Sequence, residues 1–563
     1  MNLETYSIIT NGILFLMIAV FMRHSFYRLR YFLHMFQQNG YKLNEMFGWL
    51  SKHLFTKTLL YEHLFYLVLI LLMNLYIIDN ITVSTGSLIM GVFAIFWFID
   101  VSAFKSVHEK KPLVFTPRMV RLLLMTAIPL MVIWYRVFET MFLPVPVLDM
   151  FSLVIFSNPY DLAFSMILID ISIPLILLLG GFVIVPLEKW IQNGFKRSAR
   201  KKIASMPYLK VIAITGSYGK TSTKFAISAF LKERINVCVT PGSFNTPMGI
   251  CKVINNDLNA QHDVLILEMG ARYEGNIKEL CDIAKPDISV ITNVGISHLE
   301  TFGSSDAIAR EKSTLATELK PGGTLILNGD DPKVKMMASL RDDVTTILTG
   351  EGGTVEASNI KIGPDGTYFL LKMSQNSASG SESEPVEIKT RLLGAHNIQN
   401  LLLAAAVAKE LGIRPATIAV AASTMKPVEH RLELKQQNGL LIIDDAFNSN
   451  PVGAKNAVEV LSAFEGGRKI IITPGMIELG DSEEIENERF GRHIGESSID
   501  LAILVGSQRT APIRRGIESA DIEKTTRIEV VDSLFDANQF MREFAQSGDI
   551  VLYENDLPDS YEE

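Results

Sequence analysis

The sequence predicts an α-helical membrane domain followed by two α/β domains, of which the second has a Rossmann-like pattern. Long apolar runs dominate the chain before Trp190, whereas charged residues are spread throughout from Asn193 onward. A glycine-containing loop then joins a β-branched segment to a helical one, and short strands alternate with helices after residue 440. We expect domains at 1–205, 206–426 and 427–563.

Composition limits the class of protein. The chain has 563 residues, 48% of them hydrophobic, and a mean hydropathy of +0.23, which is high for a wholly soluble protein. The net charge of −8 and the lack of a basic face in the α/β part exclude nucleic acid as an expected partner. Cys238, Cys251 and Cys281 match neither a zinc spacing nor a disulfide framework, so we expect a reducing cytoplasm.

The N-terminal third contains about five apolar runs of membrane-spanning length. They cover residues 6–22, 64–78, 81–99, 120–138 and 164–185, and Arg121 and Arg136 lie close to the ends of the fourth run, where they can snorkel. The first run follows an acidic terminus and is interpreted as an anchor and not as a cleaved signal.

Positive charges predict the orientation of these spans. Lysines and arginines follow the first, third and fifth spans, so the N-terminus is expected outside and the α/β domains in the cytoplasm. The segment 142–156 is also apolar, and a sixth span there would reverse this result, but Pro144, Pro146 and Asp149 favour an interfacial or re-entrant segment. Asp170, inside the fifth span, is either a functional group or a packing residue with Ser or Asn partners.

The stretch VIAITGSYGKTSTK, residues 211–224, has the features of a phosphate-binding loop. A strand at 209–214 and a helix at 221–233 place GSYGKTS at a strand-to-helix turn. There Gly216 and Gly219 let backbone amides face an anion, Lys220 adds positive charge, and Thr221 offers a hydroxyl to magnesium. Ile214 stands where the outer glycine of the usual motif would be, and a structural glycine turn is the alternative.

Two further side chains follow predicted strands. Glu268 comes directly after the strand 264–267, and His298 comes shortly after the strand 288–292. Each could be an ordinary loop residue, but the carboxyl ends of parallel strands share one edge of a sheet, which favours a common site.

In these motifs the sequence resembles the Mur ligase superfamily, and most closely its members that add D-alanyl-D-alanine to a UDP-linked muramoyl tripeptide. The resemblance covers about residues 209–506. The motifs that carry it, in chain order, are GSYGKTS, GSFNTPMG (242–249), LEMGAR (267–272), TNVGISH (292–298), AREKSTL (309–315), GAHNIQNLLLAAA (394–406), EHRLE (429–433) and DDAFNSNP (444–451).

The resemblance implies an ATP- and Mg²⁺-dependent amide ligase, in which a carboxylate becomes an acyl phosphate that an amine attacks. The implied catalytic residues are Lys220, Glu268, His298 and Lys312, with Thr221, Glu268 and His298 as metal ligands and Lys312 as the lysine that is carbamylated in the family. The implied ATP contacts are Gly216, Ser217, Gly219, Lys220, Thr221, Ser222, Asn397, Asn400, Arg431 and Asp445, and the implied substrate contacts are Asn245, Thr246, Asn448 and Asn450.

Several of these residues also have ordinary interpretations. His396 can be a helix cap, and Arg431 can pair with Glu429 or Glu433.

The C-terminal elements are predicted at 440–443, 451–464, 469–473, 483–496 and 501–505. Closure of this domain over the nucleotide-binding domain is expected to complete the site. Residues 374–385 form a polar low-complexity insertion, expected to be a surface loop.

The chain departs from the family pattern at both ends. The predicted membrane spans occupy the place of the UDP-binding domain, and the chain ends in SGDIVLYENDLPDSYEE where the resembled ligases carry a basic, glycine-containing end. We therefore expect a multi-pass protein of a bacterial cytoplasmic membrane that contacts membrane lipid. It would add an amino acid or dipeptide to a lipid-linked or UDP-linked precursor, and simple anchoring is the alternative role of the spans.

Two other classes of function remain open at this point. One is an amino-acid polymer ligase of the poly-γ-glutamate or folylpolyglutamate type, which shares the nucleotide loop. The other is a non-catalytic membrane scaffold that binds ATP as a signal. Retention of Lys220, Glu268, His298 and Lys312 favours catalysis, since a binding-only domain has no need of the last two.

Overall fold

The computed structural model describes residues 3–53, 63–64, 66, 68, 83–101, 112–142, 159–242, 244–295, 299–363, 366–374, 384–427, 430–446, 449–477, 479–520 and 525–555. The chain divides into two compact units, Met1–Ile191 and Gln192–Leu557. The division lies inside a long helix, within the region where the composition changes from apolar to mixed.

The first unit is helical over its described residues. Its helices are α1 (Leu3–Gln38), α2 (Leu43–Lys52), α3 (Val83–Asp100), α4 (Pro117–Phe142) and the greater part of α5 (Pro159–Ala204). By length and apolar composition, two stretches of the described residues qualify as membrane spans, Pro117–Tyr135 and Phe164–Ala204. Most of the predicted span 64–78 and of the apolar segment 142–156 lies outside the described residues.

Apolar side chains of the first unit lie on both its inside and its outside. Phe21, Phe32 and Trp97 are buried and belong to one apolar cluster. Phe182 and Met131, by contrast, are 70% and 68% exposed. A surface of this kind is unusual for a protein that faces only water.

Asp170 of α5 lies inside this unit among basic side chains. Its Oδ2 is 2.8 Å from His63 Nε2, 3.2 Å from His24 Nε2 and 3.5 Å from Arg28 Nε. His24 Nδ1 also lies 3.4 Å from Asp100 Oδ2, and all of these side chains are buried. The recorded partners of Asp170 are thus histidines and an arginine, and not the Ser or Asn that the packing alternative named.

A mixed sheet forms the first half of the second unit. Among the described residues it has the order β2-β3-β1-β4-β5-β6-β7-β8-β9, parallel from β2 to β7 and antiparallel from there. Its strands are β1 (Lys210–Thr215), β2 (Val237–Val239), β3 (Val264–Glu268), β4 (Ile288–Ile291), β5 (Thr324–Asn328), β6 (Thr345–Thr349), β7 (Val355–Gly363), β8 (Gly366–Met373) and β9 (Val386–Thr390).

Helices cover the faces of this sheet. They are α6 (Lys220–Leu231), α7 (Pro247–Asn256), α8 (Asn276–Ile283), α9 (Leu299–Phe302), α10 (Ser305–Thr317), α11 (Pro332–Lys335), α12 (Ala395–Glu410) and α13 (Pro415–Thr424), with a 3₁₀ helix at Met336–Leu340. The central strands read VIAIT, VLILE and ISVI and are buried on both faces, as parallel strands between helix layers must be.

A smaller sheet forms the C-terminal half, with the order β10-β11-β15-β12-β13-β14 among the described residues. Among these described strands, β10 alone runs opposite to the rest of the sheet, pairing antiparallel with β11. The elements are β10 (Glu433–Gln437), β11 (Leu440–Asp445), α14 (Pro451–Ala463), β12 (Lys469–Thr473), α15 (Glu483–Gly495), β13 (Leu501–Val505), α16 (Ala511–Ala520), β14 (Arg527–Val531), α17 (Leu534–Phe544) and β15 (Ile550–Glu554), with a 3₁₀ turn at Gly480–Ser482.

Candidate active site

The phosphate-binding loop joins β1 to α6, as the sequence predicts. Gly216 and Gly219 have φ angles of 149° and 77°, a region that favours glycine. A Cβ on Gly216 would collide with the Thr292 hydroxyl, and one on Gly219 would collide with the amide of Asn400. The loop therefore admits glycine alone at both positions, because other backbone and side-chain groups approach it closely.

Neighbouring residues hold the loop in place. Asn293 accepts the N–H of Ser217 at its backbone oxygen (3.0 Å) and the N–H of Tyr218 at Oδ1 (2.8 Å). Lys220 Nζ donates to the carbonyls of Gly216 (2.7 Å) and Ser217 (3.0 Å), and burial lowers its pKa to about 8. The Lys220 ammonium thus lies over the loop that would receive the phosphates.

Glu268 ends β3 beside this loop and is 1% exposed. Its Oε2 accepts the Thr221 hydroxyl at 2.9 Å and lies 3.2 Å from Lys224 Nζ, and its Oε1 accepts the Asn245 amide at 3.1 Å. The sequence places Thr221 and Glu268 together correctly. It assigns Asn245 to substrate, whereas in the structure this side chain contacts Glu268.

Lys224 is a residue that the sequence analysis missed. Its side chain is wholly buried, and besides the Glu268 contact it donates to the carbonyl of Gly242. Its position four residues after Lys220, on the same helix, puts both lysines on one face. That spacing is the signal that could have found it.

Lys312, on α10, is 3% exposed. Burial, reinforced by the charge of Lys220, lowers the pKa of Lys312 to about 7. Its neighbour Glu311 accepts the N–H groups of Gly275 and Ile277, each at 2.7 Å, and so caps α8. A lysine with this pKa is partly unprotonated at neutral pH and can react with CO₂, which fits the carbamylation implied by the resemblance.

The start of α12 supplies two buried asparagines. Asn400 lines the site cavity described below, and its Oδ1 accepts the Thr223 hydroxyl at 3.0 Å. Asn397 Nδ2 donates to the Leu393 carbonyl at 2.8 Å, and its Oδ1 accepts from Asn400 at 3.3 Å. Asn400 is thus placed to meet a ligand, while the recorded bonds of Asn397 are to the protein.

The C-terminal half contributes Arg431 and Asp445. Burial lowers the pKa of Arg431, and burial raises the pKa of Asp445 to about 6, although the N–H of Leu432 donates to Asp445 Oδ1 at 3.1 Å. The recorded partners of Glu433 are Lys435 and the N–H of His430, and Glu429 lies outside the described residues. His396 lines the same cavity, and burial lowers its pKa to about 4.

One cavity of about 1130 Å³ in the second unit is lined by part of this set of residues. Its walls come from the loop after β1, from α12 and from the loop after β11, and so from both sheets. The predicted residues that line it are Gly219, Ser222, Asn400, Arg431, Asp445 and Asn450.

The remaining predicted residues are placed as follows. Thr246 and Asn450 cap α7 and α14, accepting the N–H groups of Gly249 (3.3 Å) and Gly453 (2.9 Å). His298 and Asn448 lie outside the described residues. Within the described part of the chain, no group of three His, Cys, Asp or Glu side chains is arranged to hold a metal.

The fold and the site together define a nucleotide-using enzyme built on two α/β domains. Residues 214–408 match the Mur ligase middle domain, and residues 430–553 match the Mur ligase glutamate ligase domain. These two matches cover both halves of the second unit.

Individual proteins show the same relationship. The chain is 32% identical over 346 residues to the UDP-N-acetylmuramoyl-tripeptide–D-alanyl-D-alanine ligase of Bacillus subtilis (strain 168), covering 61% of this chain and 72% of that protein. The ligase of that name from Mycobacterium tuberculosis (strain ATCC 25618 / H37Rv) is 34% identical over 310 residues, covering 54% and 59%.

Solved structures agree with the sequence matches. MurF from Acinetobacter baumannii is 26% identical with a TM-score of 0.59, covering 66% of this chain and 78% of that one. MurF from Thermotoga maritima, solved in complex with ADP, is 25% identical with a TM-score of 0.57, covering 65% and 80%.

This chain therefore belongs to the Mur ligase family. Enzymes of this family are ATP-dependent, ADP-forming amide ligases that use Mg²⁺, and the chain is an enzyme of that class.

Proposed function

We propose that this protein is a membrane-bound ligase that couples an amino acid or dipeptide to the carboxylate of a cell-wall precursor. The observation that carries the proposal is the cavity shared by the two sheets, because it joins the phosphate-binding loop to Arg431 and Asp445 of the C-terminal half. The relatives' names state the addition of D-alanyl-D-alanine to a UDP-linked muramoyl tripeptide. A dipeptide donor is accordingly the first candidate.

The chemistry follows from the charges around the loop. An oxygen of the acceptor carboxylate attacks the γ-phosphorus of ATP, ADP leaves, and the acyl phosphate that forms is attacked by the amine. Lys220 offsets the negative charge of the β- and γ-phosphates, and Arg431 adds a second positive charge from the C-terminal half. Closure of the C-terminal half over the bound substrates would keep water away from the acyl phosphate.

The residues present also fit a magnesium ion. Thr221 and Glu268 offer a hydroxyl and a carboxylate oxygen that lie 2.9 Å apart, and hard oxygen donors suit Mg²⁺. When bound, the ion supplies charge neutralisation for the phosphates. His298 would provide a further ligand, and Lys312, once carbamylated, would carry a negative charge toward the same place.

The ATP contacts are proposed along the cavity wall. Asn400 is the better placed of the two predicted asparagines to read the adenine, since it lines the cavity, while Asn397 orients it through their 3.3 Å hydrogen bond. Gly216, Ser217, Gly219 and Ser222 surround the phosphates. Asn448 and Asn450 would meet the amine, and Asn245 and Thr246 would approach the acceptor.

The first unit supports a membrane location. Its buried interior contains Asp170, His24 and Arg28, while Phe182 and Met131 are exposed, which is the distribution expected of helices that face lipid. We propose a multi-pass protein of a bacterial cytoplasmic membrane whose ligase domains lie in the cytoplasm. In this position the acceptor can be a lipid-linked precursor as well as a UDP-linked one.

The test offers both acceptors to the full-length protein in detergent with ATP, Mg²⁺ and D-alanyl-D-alanine or single amino acids, and products are followed by mass. UDP-muramoyl peptides and extracted polyprenyl-linked precursors are compared, with Lys220→Ala as the blank. A mass gain on the lipid-linked precursor alone supports substrate presentation by the membrane unit. A gain on the UDP-linked precursor alone reduces that unit to an anchor, and no gain on either overturns the proposal.

A further inference from the structure

Three strand ends of the C-terminal sheet meet beside the cavity. β15 lies between β11 and β12, and all three are parallel. Glu554 ends β15 and is the register partner of Asp445, while Thr473 ends β12. Ligands of parallel sheets bind at such carboxyl edges, so a buried carboxyl group here needs an explanation.

Glu554 is 1% exposed and holds two hydroxyl groups. Thr473 donates to its Oε2 at 2.6 Å, and Ser449 donates to its Oε1. Neither Glu554 nor Thr473 lines the cavity among the described residues, whereas Ser449 does. Ser449 therefore connects the buried carboxyl group to the space where substrates bind.

Hydrogen bonds hold both the backbone and the side chain of Ser449 in place. Its N–H donates to Asn555 Oδ1 at 3.1 Å, and Asn555 in turn donates from Nδ2 to the carbonyl of Gly475 at 2.6 Å. Glu554, the last residue of β15, thus holds the hydroxyl of Ser449, and Asn555, the residue after it, holds the Ser449 backbone. A fixed hydroxyl between a cavity and a buried carboxylate has the arrangement of a proton relay.

We propose that Glu554 receives, through the hydroxyl of Ser449, the proton that the amine substrate must lose before it attacks. The inference rests on the proposed function, since it needs an amine and an acyl phosphate in the cavity. Ser449 would touch the amine, and Glu554 would act through it as a positioning and proton-holding residue.

Each proton and each bond in the attack of the amine on the acyl phosphate is accounted for. The ammonium group gives one proton to the Ser449 oxygen as the hydroxyl proton of Ser449 passes to Glu554, which leaves a neutral amine and a neutral carboxyl group. The amine nitrogen then forms a bond to the acyl carbon, and the bond from that carbon to the phosphate oxygen breaks. The second nitrogen proton leaves with the phosphate, which departs as hydrogen phosphate, and Glu554 later returns its proton to solvent.

The electrostatic surroundings suit this task. Burial, with a smaller contribution from the charge of Asp445, raises the pKa of Glu554 to about 7, although the two hydroxyl donors oppose the rise. Among the described residues, Arg431 and Asp444 act on Asp445 in turn, Arg431 lowering the pKa of Asp445 and Asp444 raising it. Proton acceptors work best when their pKa lies near the working pH, so a carboxyl group of ordinary pKa would serve less well.

The test compares two nucleophiles in the full-length protein. An amino-acid or dipeptide amine must first lose a proton, whereas hydroxylamine is already unprotonated near neutral pH and traps an acyl phosphate as a hydroxamate. The rates of amide and hydroxamate formation are measured between pH 6 and 9 for the wild type, Glu554→Gln, Ser449→Ala and Ser449→Thr. Thr473→Val is the matched control, because it removes the other hydroxyl from Glu554 without interrupting the relay.

We expect Glu554→Gln and Ser449→Ala each to lower the ratio of amide to hydroxamate by roughly 10²-fold. In the wild type the ratio of amide to hydroxamate should rise near pH 7, and this rise should disappear in Glu554→Gln, while Ser449→Thr should restore most of the ratio. An unchanged ratio in both variants, or a loss of the same size in Thr473→Val, overturns the relay while leaving the ligase in place. A wild type that forms neither product overturns both proposals.

Discussion

Lys224 Nζ lies 3.2 Å from Glu268 Oε2, and both side chains are closed to solvent. The ion pair orients the carboxylate that, with Thr221, forms the proposed magnesium site. Since Lys224 also donates to the Gly242 carbonyl, it ties the end of β3 to the loop that precedes α7. A structural lysine, Lys224, and the lysine proposed to bind phosphate, Lys220, thus share one helix.

Replacing Lys224 by Met should destabilise the protein and raise its magnesium requirement. Loss of one partner from a buried ion pair costs about 3–5 kcal/mol, because the other charge stays buried without its partner. The measurements are chemical unfolding in detergent and the Mg²⁺ concentration at half-maximal ADP release. Lys232→Met, at the exposed end of the same helix, is the control, and equal effects of the two changes would contradict the role of Lys224.

Replacing Gly219 by Ala should abolish ATP binding. A Cβ at this position would collide with the Asn400 amide, and the φ of 77° adds strain of about 1 kcal/mol. Gly412→Ala is the matched control, because Gly412 has a φ of 75° but open space around its Cβ position. Nucleotide affinity can be measured with a fluorescent ATP analogue, and retained affinity in Gly219→Ala would refute the collision.

The lowered pKa of Lys312 predicts that enzyme activity depends on pH and on carbon dioxide. Its pKa of about 7 leaves the amine unprotonated above neutral pH, and only that form reacts with CO₂. Activity of the wild type should therefore fall below pH 7 and should also fall in solutions freed of CO₂. Lys312→Ala should be nearly inactive, with partial recovery on addition of a short carboxylic acid, and full activity in Lys312→Ala would exclude the carbamate.

The raised pKa of Glu554 predicts how the folding stability of the protein changes with pH. Its folded-state pKa of about 7 lies above the unfolded value near 4.5, so the folded state binds more protons between those values. Its contribution to stability is present below the unfolded pKa and is lost as pH rises through 7. Glu554→Gln should thus raise the unfolding midpoint relative to wild type more at pH 8 than at pH 5, and the reverse order would show that the carboxyl group is ionised at little cost.

The buried carboxylate of Asp170 is expected to stabilise the helical unit. Asp170→Asn leaves His24, His63 and Arg28 without the carboxylate that they surround, at a cost of about 3–5 kcal/mol. Glu45→Gln removes an exposed pair with Lys42 in the same unit and should cost less than about 1 kcal/mol. Unfolding in mixed detergent, followed by circular dichroism, separates the two, and similar midpoints would contradict a structural role for Asp170.

The α/β fold could be predicted closely because its strands are strongly apolar and β-branched. The strands at 469–473 and 501–505 coincide with Lys469–Thr473 and Leu501–Val505, and the helix at 451–464 matches Pro451–Ala463 to within one residue. Thr221 and Glu268 could be brought together because both follow adjacent parallel strands, β1 and β3. The local hydrophobic pattern and the geometry of parallel sheets were sufficient to predict these strands, this helix and this pair of residues.

Other parts of the site could not be predicted, because they depend on contacts between residues that are far apart in the sequence. Asn245 meets Glu268, and Ser449 meets Glu554 over a separation of more than a hundred residues, only once the sheets form. The spacing of four residues places Lys224 on the same helix face as Lys220, but it does not show that the Lys224 side chain is buried against Glu268. In the helical unit, the grouping of His24, Arg28 and Asp170 likewise arises from helix packing, for which apolar runs carry no signal.

If the acceptor carboxylate is activated as an acyl phosphate, one of its oxygen atoms must pass to the phosphate that is released. The acceptor that supports ligation is prepared with ¹⁸O in its reacting carboxyl group and incubated with the full-length protein, ATP, Mg²⁺ and the amine. We predict one ¹⁸O atom in each phosphate released, at a ratio of one phosphate to one amide, and no labelled phosphate with Lys220→Ala. Amide formed together with unlabelled phosphate would exclude an acyl phosphate of the acceptor.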